Sequence, residues 1–376
     1  MTSLQATLQN WQSAPHSRWA FHHVDKLMPT GTIDNDPVRI APLPAAARPL
    51  GMAVGREAFL KATATDAIVV LNDGEVVFES YRRGNDARTP HILMSASKAV
   101  IGLLAGVLQH EGAVDLEAPV QRYVPEVEGT VYQSATLRHL LDMRSGAVFD
   151  AERQRAYDAA THWVPTGPGE ADANLKSFFA GARGPDGRHG GPFRYVSANT
   201  DLLGWALERA TGESVATLLS TRLWQPMGAE RPARITLDRQ GQARATGGLC
   251  TTARDLARLG QLMLDDGRRG DLQVLPPALI DELQTGGDPE AWRTGQWAAA
   301  FAPIAKNIRY RNGWYSVADE PSVLFAMGIH GQNLFVDRRR RLVMAKFSSW
   351  KQPIDNLSLW LTHKAFARLQ RSVDPS

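Results

Sequence analysis

A serine and a lysine three residues apart, Ser95 and Lys98, stand at the head of a ten-residue apolar run spanning 99–108. On a helix, positions i and i+3 share a face, so the Lys98 amine would lie beside the Ser95 hydroxyl. A serine hydroxyl is a poor nucleophile until a base takes its proton. An amine does this at neutral pH only where burial and polar neighbours pull its pKa down. The pair therefore points to acyl transfer through an activated serine. Ser-x-x-Lys is also the sequence of an ordinary solvated helix start with serine as cap. The context favours chemistry. His91-Ile-Leu-Met94 is an apolar approach, and the following run is apolar nearly all round, as in a buried helix. A lysine at the mouth of a buried helix is costly without a use or a partner. Ser97 offers another hydroxyl, but next to Lys98 in sequence it cannot face it.

Two further stretches carry polar groups of the right kind. In Phe193-Arg-Tyr-Val-Ser-Ala-Asn-Thr-Asp201, Tyr195 follows a glycine-rich loop and precedes a helix capped near Ser197 or Asn199. A tyrosine there can project into a cleft. If it meets Lys98, the cation favours phenolate and the pair can pass a proton. The alternative is a packed tyrosine at a loop–helix junction, with Ser197 and Asn199 as caps. In Ala326-Met-Gly-Ile-His-Gly-Gln332, Gly328 and Gly331 let another backbone come close, and an edge strand at a cleft can aim an unpaired N–H at a developing oxyanion. His330 invites a Ser–His triad, although no carboxylate partner is evident and a satisfied strand histidine has the same sequence.

Other chemistries fail on spacing. Asp142-Met-Arg-Ser-Gly146 lacks the leading glycine of a nucleophile elbow. There is no His-Glu-x-x-His, His22-His23 is an isolated pair, and no phosphate or dinucleotide loop follows a strand, so neither metal nor cofactor is expected. Cys250 is the one cysteine, which excludes an intrachain disulfide, and it reads as a small buried residue.

The elements that must position these groups are legible in outline. Ala67–Leu71, the Asn72-Asp-Gly74 turn and Glu75–Tyr81 read as a hairpin. Val323–Ile329, Asn333–Val336 and Leu342–Phe347 read as three more strands. Helices are expected at 96–112, 136–143, 173–181, 198–211, 214–223, 252–266 and Asn356–Leu369, with capping-box spacing at Thr252–Asp255. The stretches 147–157, 181–192 and 286–322 read as loops. The two terminal strand groups would form one antiparallel β-sheet in an α+β fold, flanked by N- and C-terminal helices. A mostly helical domain would be inserted at 109–241, the sheet domain would comprise 46–108 and 242–376, and 1–45 would be an irregular extension. The active site would lie between the two domains.

The 376 residues are 43% hydrophobic and 22% charged, with a net charge of +3. This is too mild a balance to imply nucleic acid, and Arg338–Arg341 reads as a solvated hairpin tip without interleaved aromatics. Met1–Asn10 lacks the pattern of a signal peptide and 99–108 is too short to cross a bilayer, so a cytoplasmic enzyme without a membrane partner is expected, for which a homodimer would be unremarkable.

Taken together, Ser95-x-x-Lys98, Tyr195-x-Ser197 and the Gly328 strand resemble the serine β-lactamase and DD-peptidase superfamily over roughly residues 50–370. Ser17-Arg-Trp-Ala-Phe21, Leu140-Leu-Asp-Met-Arg-Ser-Gly146, Tyr195–Trp205, Gly247-Gly-Leu249 with Ala253–Arg258, and Gly328–Gln332 resemble the 6-aminohexanoate-dimer hydrolases and family VIII carboxylesterases. The resemblance implies Ser95 as nucleophile, Lys98 as proton acceptor and Tyr195 as proton relay. It also implies an oxyanion hole from the Ser95 and Ile329 N–H groups, with Ser197, Gly328 and His330 in support. The amide-cleaving members carry a substrate-contacting tyrosine, for which Tyr157 is the nearest candidate. Ala326-Met-Gly328 stands where β-lactamases have Lys-Thr-Gly, so the cation that grips a β-lactam or peptide carboxylate is missing. The implied substrate is a small linear amide or ester. A β-lactamase or DD-peptidase, or an inactive binding protein of the same fold, are the alternatives.

Overall fold

The structure, a computed structural model, describes residues 5–48, 55–185, 187–305 and 307–373. Of the signal-peptide reading, Met1–Leu4 lie outside the described residues. In chain order the strands are β1 (Thr30–Ile33), β2 (Thr65–Asn72), β3 (Glu75–Tyr81), β4 (His91–Ile92), β5 (Ala233–Thr236), β6 (Leu249–Thr251) and the small pair β7 (Arg268–Arg269) and β8 (Leu272–Gln273). They continue with β9 (Ile308–Arg311), β10 (Trp314–Val317), β11 (Glu320–Gly328), β12 (Gln332–Asp337) and β13 (Leu342–Ser348).

The main sheet is antiparallel, in the order β3-β2-β13-β12-β11-β10-β9. It joins strands from both ends of the chain, as the α+β reading requires. Its first hairpin turns at Asp73 and Gly74, both with left-handed φ, 48° and 84°, which suits the twist of a two-residue loop. Side chains alternate between the faces. Val69, Leu71, Val343, Ala345, Leu334 and Val336 join the larger core, packed against the Ala253–Leu264 helix. Ile68, Val70, Met344 and Phe335 face the other way, onto Leu60, Phe366 and Leu369. These last come from the Arg56–Ala62 and Asn356–Ser372 helices, which flank the sheet.

The strongly patterned helices lie where expected, at Ser97–His110, Leu137–Leu141, Leu175–Gly181, Ala198–Thr211, Val215–Leu219 and Ala253–Leu264. Thr252 caps the last of these, its hydroxyl accepting the Asp255 N–H at 3.0 Å. The differences concern short or locally unpatterned pieces. Within 286–322, read as a loop, β9 and β10 extend the sheet by two strands of four residues each. A strand that short shows too little alternation to be recognised. Ala151–Ala160 is a helix rather than loop, built from good helix formers and started by Asp150, whose carboxylate accepts the Arg153 N–H at 2.8 Å. Pro277–Thr285 is another unforeseen helix.

The N-terminal stretch is also more than an irregular extension. It contributes β1 to a second sheet, ordered β1-β5-β6-β4, and Trp11, Phe21 and Val24 to a small core with Ile92, Met94 and Trp163. That core lies directly under the approach to Ser95. Arginines of the 338–341 turn are ion-paired: Arg338 with Asp266, Arg340 with Glu320 and Asp337, Arg341 with Asp73 and Asp265. Among the described residues no helix is long and apolar enough to cross a membrane.

Candidate active site

Ser95 is presented by a sharp turn. Met94 before it is buried in a left-handed conformation, φ 48°, which a bulky residue adopts only when its surroundings demand it. Met94–Ala96 form one 3-10 turn that runs straight into the Ser97–His110 helix. Ser95 is not a solvated cap. Ser97 is structural, its hydroxyl accepting the Leu249 N–H of β6 at 3.2 Å.

Lys98 is 2% exposed. Its amine donates to Ser95 Oγ at 3.1 Å and to the Thr246 carbonyl at 2.8 Å. Burial holds its pKa well below the usual amine value, and the Arg244 guanidinium lowers it further; Asp201 opposes both. These are the conditions under which an amine is a base at neutral pH.

Tyr195 closes the other side. Lys98 Nζ lies 4.9 Å from the centre of its ring, and Trp297 stacks on it at 4.2 Å. Its backbone N–H donates to Gln296 Oε1 at 3.2 Å. The phenolate expectation does not hold. Burial raises the Tyr195 phenol above its usual value, and the Ser95 hydroxyl and Arg244 only partly offset this. Lys98 lies over the ring, and its own lowered pKa makes it a poor stabilising cation. Tyr195 is a phenol facing Ser95, whose hydroxyl is near enough to act on it.

A buried network positions Lys98. Asp201, in the Ala198–Thr211 helix, accepts the Thr246 N–H at 2.9 Å, and the Thr246 hydroxyl donates to the Ser197 carbonyl at 2.6 Å. Arg244 pairs with Asp201 and also meets the Tyr157 hydroxyl, which itself donates to Asp201 at 2.7 Å. Tyr157, expected as a substrate contact, is thus 2% exposed with its hydroxyl committed to this network. Asn199, expected as a cap, is buried inside the helix and accepts from Ser145 Oγ at 3.0 Å. Ser197 precedes that helix without a side-chain capping bond. Asp201, Thr246 and Arg244 escaped the sequence reading. Asp201 ends the quoted Tyr195 stretch, whereas nothing local marks the other two.

The end of β11 comes against Ser95. A Cβ on Gly328 would fall 2.3 Å from the Leu93 carbonyl and 3.0 Å from the Ser95 N, so only glycine lets the strand approach this closely. Gly328 and Ile329 line one recess together with Ser95 and Tyr195. His330 points away. Its φ is 62°, its Nδ1 bonds the Trp350 carbonyl at 2.8 Å, and its N–H donates to the Pro353 carbonyl at 2.8 Å. Burial lowers its pKa, and no carboxylate pairs with it among the described residues. It braces the 350–353 segment and forms no triad. Cys250 is buried, which pushes its thiol up to about 12.

Tyr195 stands between two recesses. One, of about 180 Å³, is apolar and aromatic, and Ser95 opens on it. The other, of about 320 Å³, is lined by polar groups including Arg194, Ser197, Arg244 and Gln296. A larger recess of about 680 Å³ between the Ala151–Ala160 and Leu175–Gly181 helices holds none of the residues discussed above as candidate catalytic groups. Among the described residues no cluster of side chains suits a metal ion.

A serine at a strained turn, a buried amine at its side and the end of β11, an interior strand rather than an edge strand, pressed against it define the class: a serine hydrolase of the β-lactamase-like fold. The comparisons agree. The chain belongs to the β-lactamase family, whose profile, described as Beta-lactamase, matches residues 57–367. It is 37% identical over 360 residues, 93% of this chain and 89% of the relative, to the 6-aminohexanoate-dimer hydrolase of Paenarthrobacter ureafaciens. A solved structure from Bacillus anthracis, assigned as a 6-aminohexanoate-dimer hydrolase, superposes with a TM-score of 0.83 at 26% identity, covering 97% of this chain and 96% of that one. A family VIII carboxylesterase shares the fold, with a TM-score of 0.57 at 15% identity over 86% of this chain and 99% of its own.

Proposed function

We propose that the protein hydrolyses a small linear amide or ester through a covalent acyl-enzyme on Ser95. The observation that carries this is the 3.1 Å contact between Ser95 Oγ and the buried Lys98 amine. Lys98 takes the Ser95 proton as Oγ bonds to the substrate carbonyl carbon. The oxyanion is received by the Ser95 and Ile329 N–H groups, which the close approach at Gly328 supports. On collapse the bond to the leaving nitrogen or oxygen breaks. Tyr195 gives that atom a proton and recovers one from Lys98. Water then attacks the acyl group by the reverse route, returning the acid and free Ser95. The acyl half stays on Ser95, which lines the apolar recess and not the polar one, so the leaving half occupies the polar one beyond Tyr195.

The names of the 6-aminohexanoate-dimer hydrolase and the family VIII carboxylesterase support an amide or ester. So does the strand facing Ser95, where Ala326 and Met327 bring no cation for a carboxylate. The test is a parallel screen of short p-nitrophenyl esters, linear amides including the 6-aminohexanoate dimer, and nitrocefin, with Ser95→Ala as control. Turnover of esters or amides that vanishes in Ser95→Ala is expected. Turnover confined to nitrocefin would replace this reading with a β-lactamase.

A further inference from the structure

The recess on which Ser95 opens is lined by a polar group without a hydrogen-bond partner among the described residues. Its walls include Trp297, Phe301, Met327 and Trp350. Asn333, on β12, lines the same space and is 1% exposed. Its Oδ1 is buried without a partner, and neither end of its side-chain amide makes a hydrogen bond among the described residues. Buried polar groups are nearly always paired, and each exception calls for an explanation.

The sheet register shows why Asn333 is left free. It stands opposite Met327 on β11 and Lys346 on β13, and cross-strand neighbours share a face. Lys346 could have satisfied it, but its amine donates instead to Ser348. Gln332 next door is occupied with the Ile329 and Ser348 carbonyls and the Ser348 N–H. On the same face Tyr315 of β10 lines the recess, its ring stacked on Phe325 at 5.1 Å and on Phe301 at 5.7 Å. Its hydroxyl also makes no hydrogen bond among the described residues. A mostly apolar recess, with exposed Asn356 on the helix side, thus keeps two unspent hydrogen-bonding groups on its sheet-side wall.

An amide presents an acceptor and donors side by side, and the group that matches both is another amide. At about 30 Å³ for each small heavy group, the recess of about 180 Å³ holds about six such groups beyond the scissile carbonyl. We infer that this recess selects acyl groups carrying a second amide at that depth, bonded to Asn333 and Tyr315. The inference rests on the acyl-enzyme reading above, which places the acyl half on the Ser95 side of Tyr195. It adds that the substrate is a short diamide or amide-ester rather than a simple fatty acyl compound.

The test compares two p-nitrophenyl esters of equal heavy-atom count, 4-carbamoylbutanoate and 5-methylhexanoate, as kcat/KM above the Ser95→Ala rate. A purely apolar pocket would prefer the second. The wild-type protein is expected to prefer the carbamoyl ester by about tenfold or more. The preference should invert in Asn333→Leu and shrink in Tyr315→Phe. Equal or faster turnover of 5-methylhexanoate by the wild type would overturn the inference and leave the acyl-enzyme reading intact. A wild-type preference that persists in both variants would also overturn it. No turnover of either ester above Ser95→Ala would overturn the underlying reading and the inference together. The wild-type ratio decides even if Asn333→Leu folds poorly.

Discussion

The Lys98 amine donates a 2.8 Å hydrogen bond to the carbonyl oxygen of Thr246. A neutral amine has two hydrogens and one lone pair. With one hydrogen fixed on Thr246, the neutral amine can turn from donating to Ser95 Oγ, 3.1 Å away, to presenting its lone pair to the Ser95 hydroxyl. Thr246 is held in turn by Asp201 and Ser197, so the base is aimed by backbone groups that cannot easily move.

The pH profile follows. Catalysis needs neutral Lys98, whose pKa is held down by burial and by Arg244. The rate should fall in acid as Lys98 gains a proton. Arg244→Gln removes a positive neighbour and leaves Asp201 unbalanced, and both changes raise the Lys98 pKa. The acid limb of kcat/KM should therefore move to higher pH in this variant. A limb that stays in place or moves down would contradict the role given to Arg244.

Tyr195 is a neutral phenol pushed above its ordinary range by burial. No alkaline loss of activity is expected below pH 10 from this group. Tyr195→Phe should lower kcat by about 10² to 10⁴, and combining it with Lys98→Met should cost little more than the worse single change. Independent, multiplying effects in steady-state kinetics would show that the two do not act as a unit.

Asp201 and Arg244 form a buried pair, with exposures of 0% and 7% for their side chains. Removing either partner strands the other. Asp201→Asn and Arg244→Met should each destabilise by about 3 kcal/mol, measured by urea unfolding. The double variant should be clearly more stable than the sum of the single losses implies. Strict additivity would mean that the pair contributes nothing as a pair.

Gly328→Ala places a methyl 2.3 Å from the Leu93 carbonyl. The strand end must retreat, at about 1–3 kcal/mol, and the Ile329 N–H retreats with it. We expect kcat to fall more than KM changes, since the oxyanion is bound only in the transition state. A variant with wild-type kcat would place the oxyanion hole elsewhere.

The legible parts of the fold are those with a long local pattern. Ser97–His110, Ala198–Thr211 and Ala253–Leu264 each run for three turns or more, and β2, β11 and β13 each have seven or more residues. β9 and β10 have four each, and β4 has two. Such strands exist because neighbours complete them, which no local window reveals. The candidate site divides in the same way. Ser95 and Lys98 are neighbours on one turn, and their contact follows from helical spacing. Thr246 and Asp201 meet across 45 residues, a contact made by the fold alone. Tyr157 lines the polar recess, as its type and neighbourhood suggest, while Asp201 and Arg244 engage its hydroxyl, a pairing that no local pattern reveals. His330 likewise carries a catalytic residue type, yet the left-handed turn at its own backbone aims it at Trp350.

The most direct test of the central claim is intact-protein and peptide mass spectrometry after brief exposure to a fluorophosphonate probe. The account predicts one adduct, on the peptide containing Ser95 and absent from Ser95→Ala, with labelling that slows in Lys98→Met. Undiminished labelling of Ser95→Ala, or an adduct on any other residue, would contradict it.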